Sequence, residues 1–345
     1  MVSTLRKRLP EARFQVVDLV TAKSEHDPEV LEVIRFRGRF MKSCPGTRHY
    51  LCCGYRILHF GVQCSLGCTY CILQVYLNQS NLRIFGNTKD LFQELDAELE
   101  AHPGRLFRVG TGEFTDSLLL DPWTQFSREL VPVFAQRNNA VLELKTKTNH
   151  VENLFDLEHG GHTIVAWSLN AQEIVTKEES KAASLEERLK AAAICAEKGY
   201  YLAFHFDPMV EYPDWRRGYG SALECLFDCV KPRSIVWISL GAFRFMPDLK
   251  HAIHTVHPHS VMPYGEFIRG LDGKMRYFRD VRVELYSFMV ERIRHVDPNL
   301  CVYLCMEGGD IWRQAFGYTP PDKGGLPAML DRAVRERMGV VGEKG

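Results

Sequence analysis

The sequence predicts an α/β protein, a partial (β/α)6 barrel with an N-terminal extension and C-terminal elements. Three observations point there. Short apolar runs rich in β-branched and aromatic residues alternate about six times with amphipathic stretches of helical period. No Pro/Gly/Ser-rich linker and no fixed-period repeat divides the 345 residues, which favours one continuous domain. At 46% hydrophobic and 11% aromatic residues the chain can bury a large core, which excludes a disordered chain, a collagen and a coiled coil. A doubly wound open sheet would show the same alternation, and the pattern alone does not separate the two.

Taken in order, residues 1–54 read as an extension of short, charge-rich elements ending in the basic and aromatic run 35–42. Barrel strands are expected at 56–60, 106–109, 141–145, 163–168, 201–206, 235–240 and 301–305, each short and bounded by turn residues. Helices are expected between them at 90–101, 124–136, 184–198, 220–230 and 281–296. The third opens on a capping box, Ser184 with Glu187, and stops at Gly199. The barrel then covers 55–315, with a basic hairpin near 270–282, and 316–345 forms a C-terminal tail. In such a barrel the working residues collect on the loops after the strands' C-terminal ends.

The charges balance, 43 Lys+Arg against 43 Asp+Glu, so the chain does not coat nucleic acid by its overall field and any such contact is regional. No run approaches the roughly 20 apolar residues of a membrane-spanning helix. Residues 1–10 hold no apolar signal region after their basic residues, so a cytoplasmic protein is expected, with no membrane partner. Eleven cysteines in a chain of this length are not a dense disulfide framework.

Their spacing carries the strongest signal. Cys64-Ser65-Leu66-Gly67-Cys68-Thr69-Tyr70-Cys71 follows the first barrel strand, and three thiolates within eight residues can wrap one metal centre. Because iron–sulfur clusters usually take four thiolates, a compact triplet leaves one iron of a four-iron cluster open to a small molecule. Two other readings exist: three buried thiols, or a structural zinc completed by Cys52, Cys53 or His59. Zinc sites usually build on two knuckles, and no second knuckle stands nearby.

On these residues the chain resembles the radical S-adenosylmethionine (SAM) enzymes. The segments around Cys44, Cys52-Cys53-Gly54-Tyr55 and Cys71-Ile72-Leu73-Gln74, with 201–215 and 302–307, resemble the spore photoproduct lyase family, over about residues 38–312. The resemblance implies a radical SAM barrel, with a [4Fe-4S] cluster on Cys64, Cys68 and Cys71 and SAM on the fourth iron. It implies reductive cleavage of SAM to a 5′-deoxyadenosyl radical, and an electron donor such as flavodoxin or ferredoxin. A nucleic-acid base or nucleotide is the implied substrate, a DNA photolesion among the candidates. So reactive a radical needs a dry, closed site, which a barrel interior supplies.

Further positions follow from strand ends and from the same resemblance. Gly110, Gly112 and Glu113 form a glycine-rich turn similar to the segment that receives the SAM ammonium; a bare turn would also explain the glycines. Lys147, Ser168 and Asn170 end the next two strands and by resemblance contact the SAM carboxylate and ribose; capping of strand ends is the plainer reading. Arg276, Tyr277 and Arg279 match the basic hairpin with which the family probes duplex DNA, against a solvated hairpin as the alternative. Tyr70 matches a family tyrosine and is the catalytic candidate. Two departures stand out: no cysteine lies between Cys71 and Cys195, where the family has a hydrogen-atom donor, and Ile72 replaces a second tyrosine. Tyr70 or Cys305 would then have to substitute. A peptide or small metabolite as substrate, and a zinc-stabilised nucleic-acid-binding protein without activity, are the alternatives to nucleic-acid chemistry.

Overall fold

The structure is a computed structural model, and it describes residues 1–17, 30–46, 49–77, 81–320 and 324–340. Eight strands form the main sheet: β1 (Met41–Ser43), β2 (Arg56–Leu58), β3 (Phe107–Gly110), β4 (Ala140–Thr146), β5 (Thr163–Ser168), β6 (Tyr201–Met209), β7 (Ile235–Ala242) and β8 (Cys301–Leu304). Their spatial order is their chain order, so every connection joins neighbours. β2 to β8 run parallel, and β1 is added antiparallel at the edge, Met41 opposite Leu58 and Ser43 opposite Arg56. This is the expected partial barrel, a curled sheet whose edge strands β1 and β8 do not pair with each other.

The strands read as continuous apolar runs because helices cover the outer face and side chains fill the inner one. β5 and β7 are buried at every position. Helix α1 (Thr88–Glu100) turns Leu91, Leu95 and Leu99 inward at four-residue spacing. Around the wall follow α2 (Phe126–Ala135), α3 (Leu185–Glu197), α4 (Trp215–Cys229) and α5 (Arg279–Val296). α3 begins on the expected capping box: Ser184 Oγ accepts from the Glu187 amide at 3.2 Å, and Glu187 accepts from the Ser184 amide at 2.7 Å.

Two segments that the sequence places outside the barrel are woven into it. Residues 41–43 supply β1, while residues 31–34 pair parallel with Leu82–Phe85 in a separate small sheet that Gly61–Val62, just after β2, completes. Within 316–345, helix α6 (Gly325–Met338) buries Leu326, Met329, Leu330 and Val334 and packs on β7 and β8; residues 341–345 lie outside the described residues. The segment between β1 and β2 bridges the open seam, where the Leu51 amide donates to the Glu307 carbonyl at 3.0 Å and Arg276 lies over the Tyr50 ring at 4.2 Å. Among the described residues no helix is long and apolar enough to cross a membrane.

Candidate active site

The parallel strands all end on one side, and the cysteine loop lies there, just past β2. Backbone at Gln63 and Gly67 turns left-handed (φ 73° and 61°), the second at no steric cost because glycine has no Cβ. The Cys71 amide donates to the Cys68 carbonyl at 3.0 Å, and Gln74 Nε2 donates to the carbonyls of Cys68 and Thr69 at 3.2 and 2.9 Å. The loop is therefore fixed by its own backbone and by the short helix Leu73–Tyr76. Burial pushes the Cys68 thiol up to about 12 and raises Cys64 and Cys71 as well; Asp116 adds to the rise at Cys64, while Lys147 opposes it at the other two. Thiols held so far up stay protonated at neutral pH, and a metal centre bound there would displace their protons as its thiolate bonds form. Among the described residues no three His, Cys, Asp or Glu side chains converge as ligands of a single ion.

The glycine turn after β3 forms the adjoining wall. A Cβ on Gly110 would lie 1.3 Å from the Tyr55 hydroxyl oxygen, and one on Gly112 2.9 Å from the Lys145 carbonyl oxygen. Only bare backbone fits here. The Tyr55 hydroxyl is buried and, among the described residues, makes no hydrogen bond. Glu113 Oε2 stands 3.9 Å from Lys145 Nζ. Burial works against the Lys145 charge, but Glu113, Glu143 and Asp207 outweigh it and hold the ammonium above its usual range. Gly110 makes room for the Tyr55 ring and Gly112 for the backbone of β4, and the wall they allow, with its buried hydroxyl and its paired carboxylate and ammonium, suits a zwitterionic ligand such as SAM.

Opposite lies a buried ionic network the sequence did not disclose. Glu179 accepts from Arg188 at 2.5 Å, from Lys147 at 3.0 Å and from the Tyr70 hydroxyl. Lys147 Nζ also donates to Tyr70 Oη at 2.9 Å. Arg188 donates to the carbonyls of Ser168 and Ala183 at 2.9 and 2.8 Å, which ties the end of β5 to the network. Lys147 therefore meets a resident carboxylate and the catalytic candidate Tyr70. Asn170 is engaged by its neighbours: its Nδ2 donates to the Pro208 carbonyl at 2.8 Å, and its Oδ1 accepts from Tyr219 and Ala171 at 2.7 and 3.0 Å. Asp116 is a loop anchor, accepting from the Leu118 and Leu119 amides, from Thr146 and from the Lys147 amide.

Within reach of Lys145 the lumen carries two more pairs, His205 with Glu143 at 2.6 Å and Arg244 with Asp207 at 3.1 and 2.9 Å. Arg244 also donates to Cys305 Sγ at 3.5 Å, and burial pushes that thiol up to about 12. Cys305, at the end of β8, is thus an enclosed neutral thiol at the barrel mouth.

The basic hairpin exists, Ile268–Arg269 against Met275–Arg276 with Arg244–Phe245 alongside, but its sequence-selected residues divide. Arg276 is 1% exposed and donates to Asp272 at 2.7 Å and to the Met306 carbonyl at 3.1 Å; Tyr277 is 5% exposed and accepts from the Glu211 amide at 3.1 Å. Both hold the fold, because a buried guanidinium must be paired. Arg279 is exposed, with Phe278 beside it half-exposed and Leu271 73% exposed at the hairpin tip.

Comparison with known proteins adds three findings. A family profile for spore photoproduct lyase matches residues 51–295. The spore photoproduct lyase of Bacillus subtilis is 26% identical over 250 residues, 70% of this chain and 73% of that protein; that of Clostridium acetobutylicum is 21% identical over 237 residues, 67% and 70%. A solved spore photoproduct lyase mutant with bound AdoMet and dinucleoside spore photoproduct superposes with a TM-score of 0.73 at 21% identity, covering 83% of this chain and 87% of that one.

Proposed function

This chain belongs to the spore photoproduct lyase family, and from that premise we propose that it is a radical SAM lyase that repairs a photolesion in DNA. The observation that carries the reading is the rigid three-cysteine loop at the mouth of a half-barrel, beside a wall that admits only backbone. Cys64, Cys68 and Cys71 would hold a [4Fe-4S] cluster, and Gly110, Gly112 and Glu113 with Lys145 and the Tyr55 hydroxyl would receive SAM. Together these groups supply, when bound, a 5′-deoxyadenosyl radical that takes a hydrogen atom from the lesion.

The chain's own residues then seat, shield and quench. Glu113 and Lys145 offer the amino acid end of SAM one charge of each sign. The apolar lumen excludes water from the reacting carbon. Returning a hydrogen atom to the repaired base requires an X–H group at the mouth, and two stand there: the Tyr70 hydroxyl, whose proton already points at ionised Glu179, and the Cys305 thiol. The exposed hairpin residues Leu271, Phe278 and Arg279 would meet the duplex, and a flavodoxin or ferredoxin would deliver the electron.

The test is turnover by anaerobically reconstituted, reduced protein given SAM and dinucleoside spore photoproduct. Repaired dinucleoside and 5′-deoxyadenosine are expected. If 5′-deoxyadenosine forms while the lesion persists, the substrate is wrong; if none forms, the radical chemistry is. The glycine wall gives a separate check. Gly112→Ala forces Lys145 backbone aside, so SAM affinity of the reconstituted protein, read by calorimetry, is expected to fall by roughly tenfold or more.

A further inference from the structure

The first of the two basic and aromatic runs, residues 35–42, has no part in the site described so far, yet the fold places it at the mouth. β1 is antiparallel, with Met41 opposite Leu58 at the C-terminal end of β2. The residues that lead into β1 therefore lie at the same end of the barrel as the cysteine loop and the glycine turn. Lys42 closes the link: its ammonium sits over the rings of Phe36 and Phe114 at 5.5 and 5.6 Å, and Phe114 directly follows Glu113.

The run is sorted by side. Phe36 stacks on Phe85 at 4.1 Å and Phe40 is buried, whereas the alternating Arg35, Arg37 and Arg39 face solvent. Its backbone is clamped onto α1. Asn87 accepts from the Phe36 amide at 2.9 Å and donates to the Phe36 carbonyl at 3.0 Å, and Glu94 accepts from the Phe40 and Met41 amides, both at 3.0 Å. The arginines thus stand on a fixed platform. Their counter-charges are loosely held: Arg35 is 3.7 Å from Asp90 with its side chain 79% exposed, and Arg39, 74% exposed, is 3.8 Å from Glu94 and 3.7 Å from Glu98. Exposed pairs of that length are screened and easily exchanged for another anion. Among the described residues Arg37 has no acidic partner, and it borders a cleft of about 390 Å³ lined by Arg35, Phe36, Gly38 and Phe40 and, on the α1 side, by Asp90 and Glu94, of which Glu94 is already engaged by the Phe40 and Met41 amides.

We propose that this strip is a phosphodiester-binding platform that holds the nucleic-acid backbone flanking the lesion against the barrel mouth. The inference rests on the DNA-repair reading above and adds to it the surface that grips the strand. Guanidinium groups match phosphate oxygens two at a time, and a clamped backbone loses little freedom on binding. Phosphate contacts fix position without reading sequence, so the platform serves damaged and undamaged DNA alike.

The experiment is fluorescence anisotropy of a labelled duplex, with and without ultraviolet damage, titrated with the reconstituted protein between about 50 and 200 mM salt. For Arg35→Ser/Arg37→Ser/Arg39→Ser the slope of log affinity against log salt is expected to shrink by about 2 to 3, since each lost phosphate contact removes about 0.9. Affinity should fall at least tenfold for both duplexes. Arg37→Glu alone, which breaks no pair, should lower it several-fold. Removal of three exposed lysines elsewhere, Lys190→Ala/Lys198→Ala/Lys250→Ala, should change neither. If the wild type shows a steep salt slope and the triple variant keeps it, the platform is wrong and the repair reading stands. If the wild type has no affinity for either duplex, or prefers phosphatidylserine vesicles, the repair reading falls and the platform with it.

Discussion

Cys68→Ala protein, reconstituted without oxygen, is expected to retain no stable iron and sulfide and to form no 5′-deoxyadenosine above background. The loop supplies three sulfurs and no fourth; the thiols of Cys44, Cys53 and Cys305 act on one another rather than on the loop cysteines, and Cys305 also accepts from Arg244. With one sulfur gone, two ligands cannot keep a cubane from dissociating or being oxidised, so the effect on activity is total rather than graded. Folding is not the cause of that loss. Cys68 is small, and the turn around it is held by its own carbonyl, which accepts from Cys71 and Gln74 whatever the side chain is. Iron and sulfide content, the visible spectrum and the melting temperature measured together separate the two. The matched control is Cys195→Ala, a buried thiol inside α3; it should cost stability, as any large-to-small core change does, and leave iron content intact. Equal iron loss in both variants would show that the loop is not the cluster site.

What the sequence discloses of this molecule is what local chemistry decides. β5 is legible to the residue because Thr163, Ile164, Val165 and Trp167 form an unbroken strand-favouring run. α3 is legible because its capping box is written in two residues three apart. The cysteine loop is legible because all three candidate ligands sit within eight positions. What stays hidden depends on pairing across long separations. β1 is three residues long and acquires strand geometry only by hydrogen bonding to β2. Arg276 and Arg279 look alike in sequence, yet one is bound by Asp272 and the loop at Met306, and the other faces water. Lys147 and Asn170 end their strands where expected, but Glu179 and Tyr219, in elements further along, decide what they touch. Glu179 itself lies in a run of ordinary charged residues, and nothing there says that it will be buried against an arginine.

That burial sets the largest stability effect. Glu179 is 1% exposed and Arg188 0%, and the carboxylate answers both Arg188 and Lys147. Burial alone would raise the Glu179 pKa, but Lys147 and Arg188 outweigh it and hold the carboxyl at about 2. Glu179→Gln keeps the shape and removes the charge, leaving the Arg188 guanidinium enclosed without a counter-ion. Lys147, partly open to solvent, can rehydrate; Arg188 cannot. The cost expected is about 3 to 5 kcal/mol, or a melting temperature lower by roughly 4 to 7 °C. The pH dependence has a definite sign. A carboxyl whose folded pKa is depressed stabilises fully above its unfolded value near 4.5, and that stabilisation is lost as pH falls towards about 2. Wild-type stability should therefore drop across that window while Glu179→Gln, having no proton to gain there, does not share this part of the fall, and the gap between them narrows. Thermal melts from pH 6 down to pH 3 measure it; a gap that is constant with pH would mean that Glu179 is not held as an anion. Because the penalty is that of a stranded charge, removing the cation as well should relieve it. Glu179→Gln/Arg188→Met is expected to be more stable than Glu179→Gln alone, a non-additivity that only a direct pair produces.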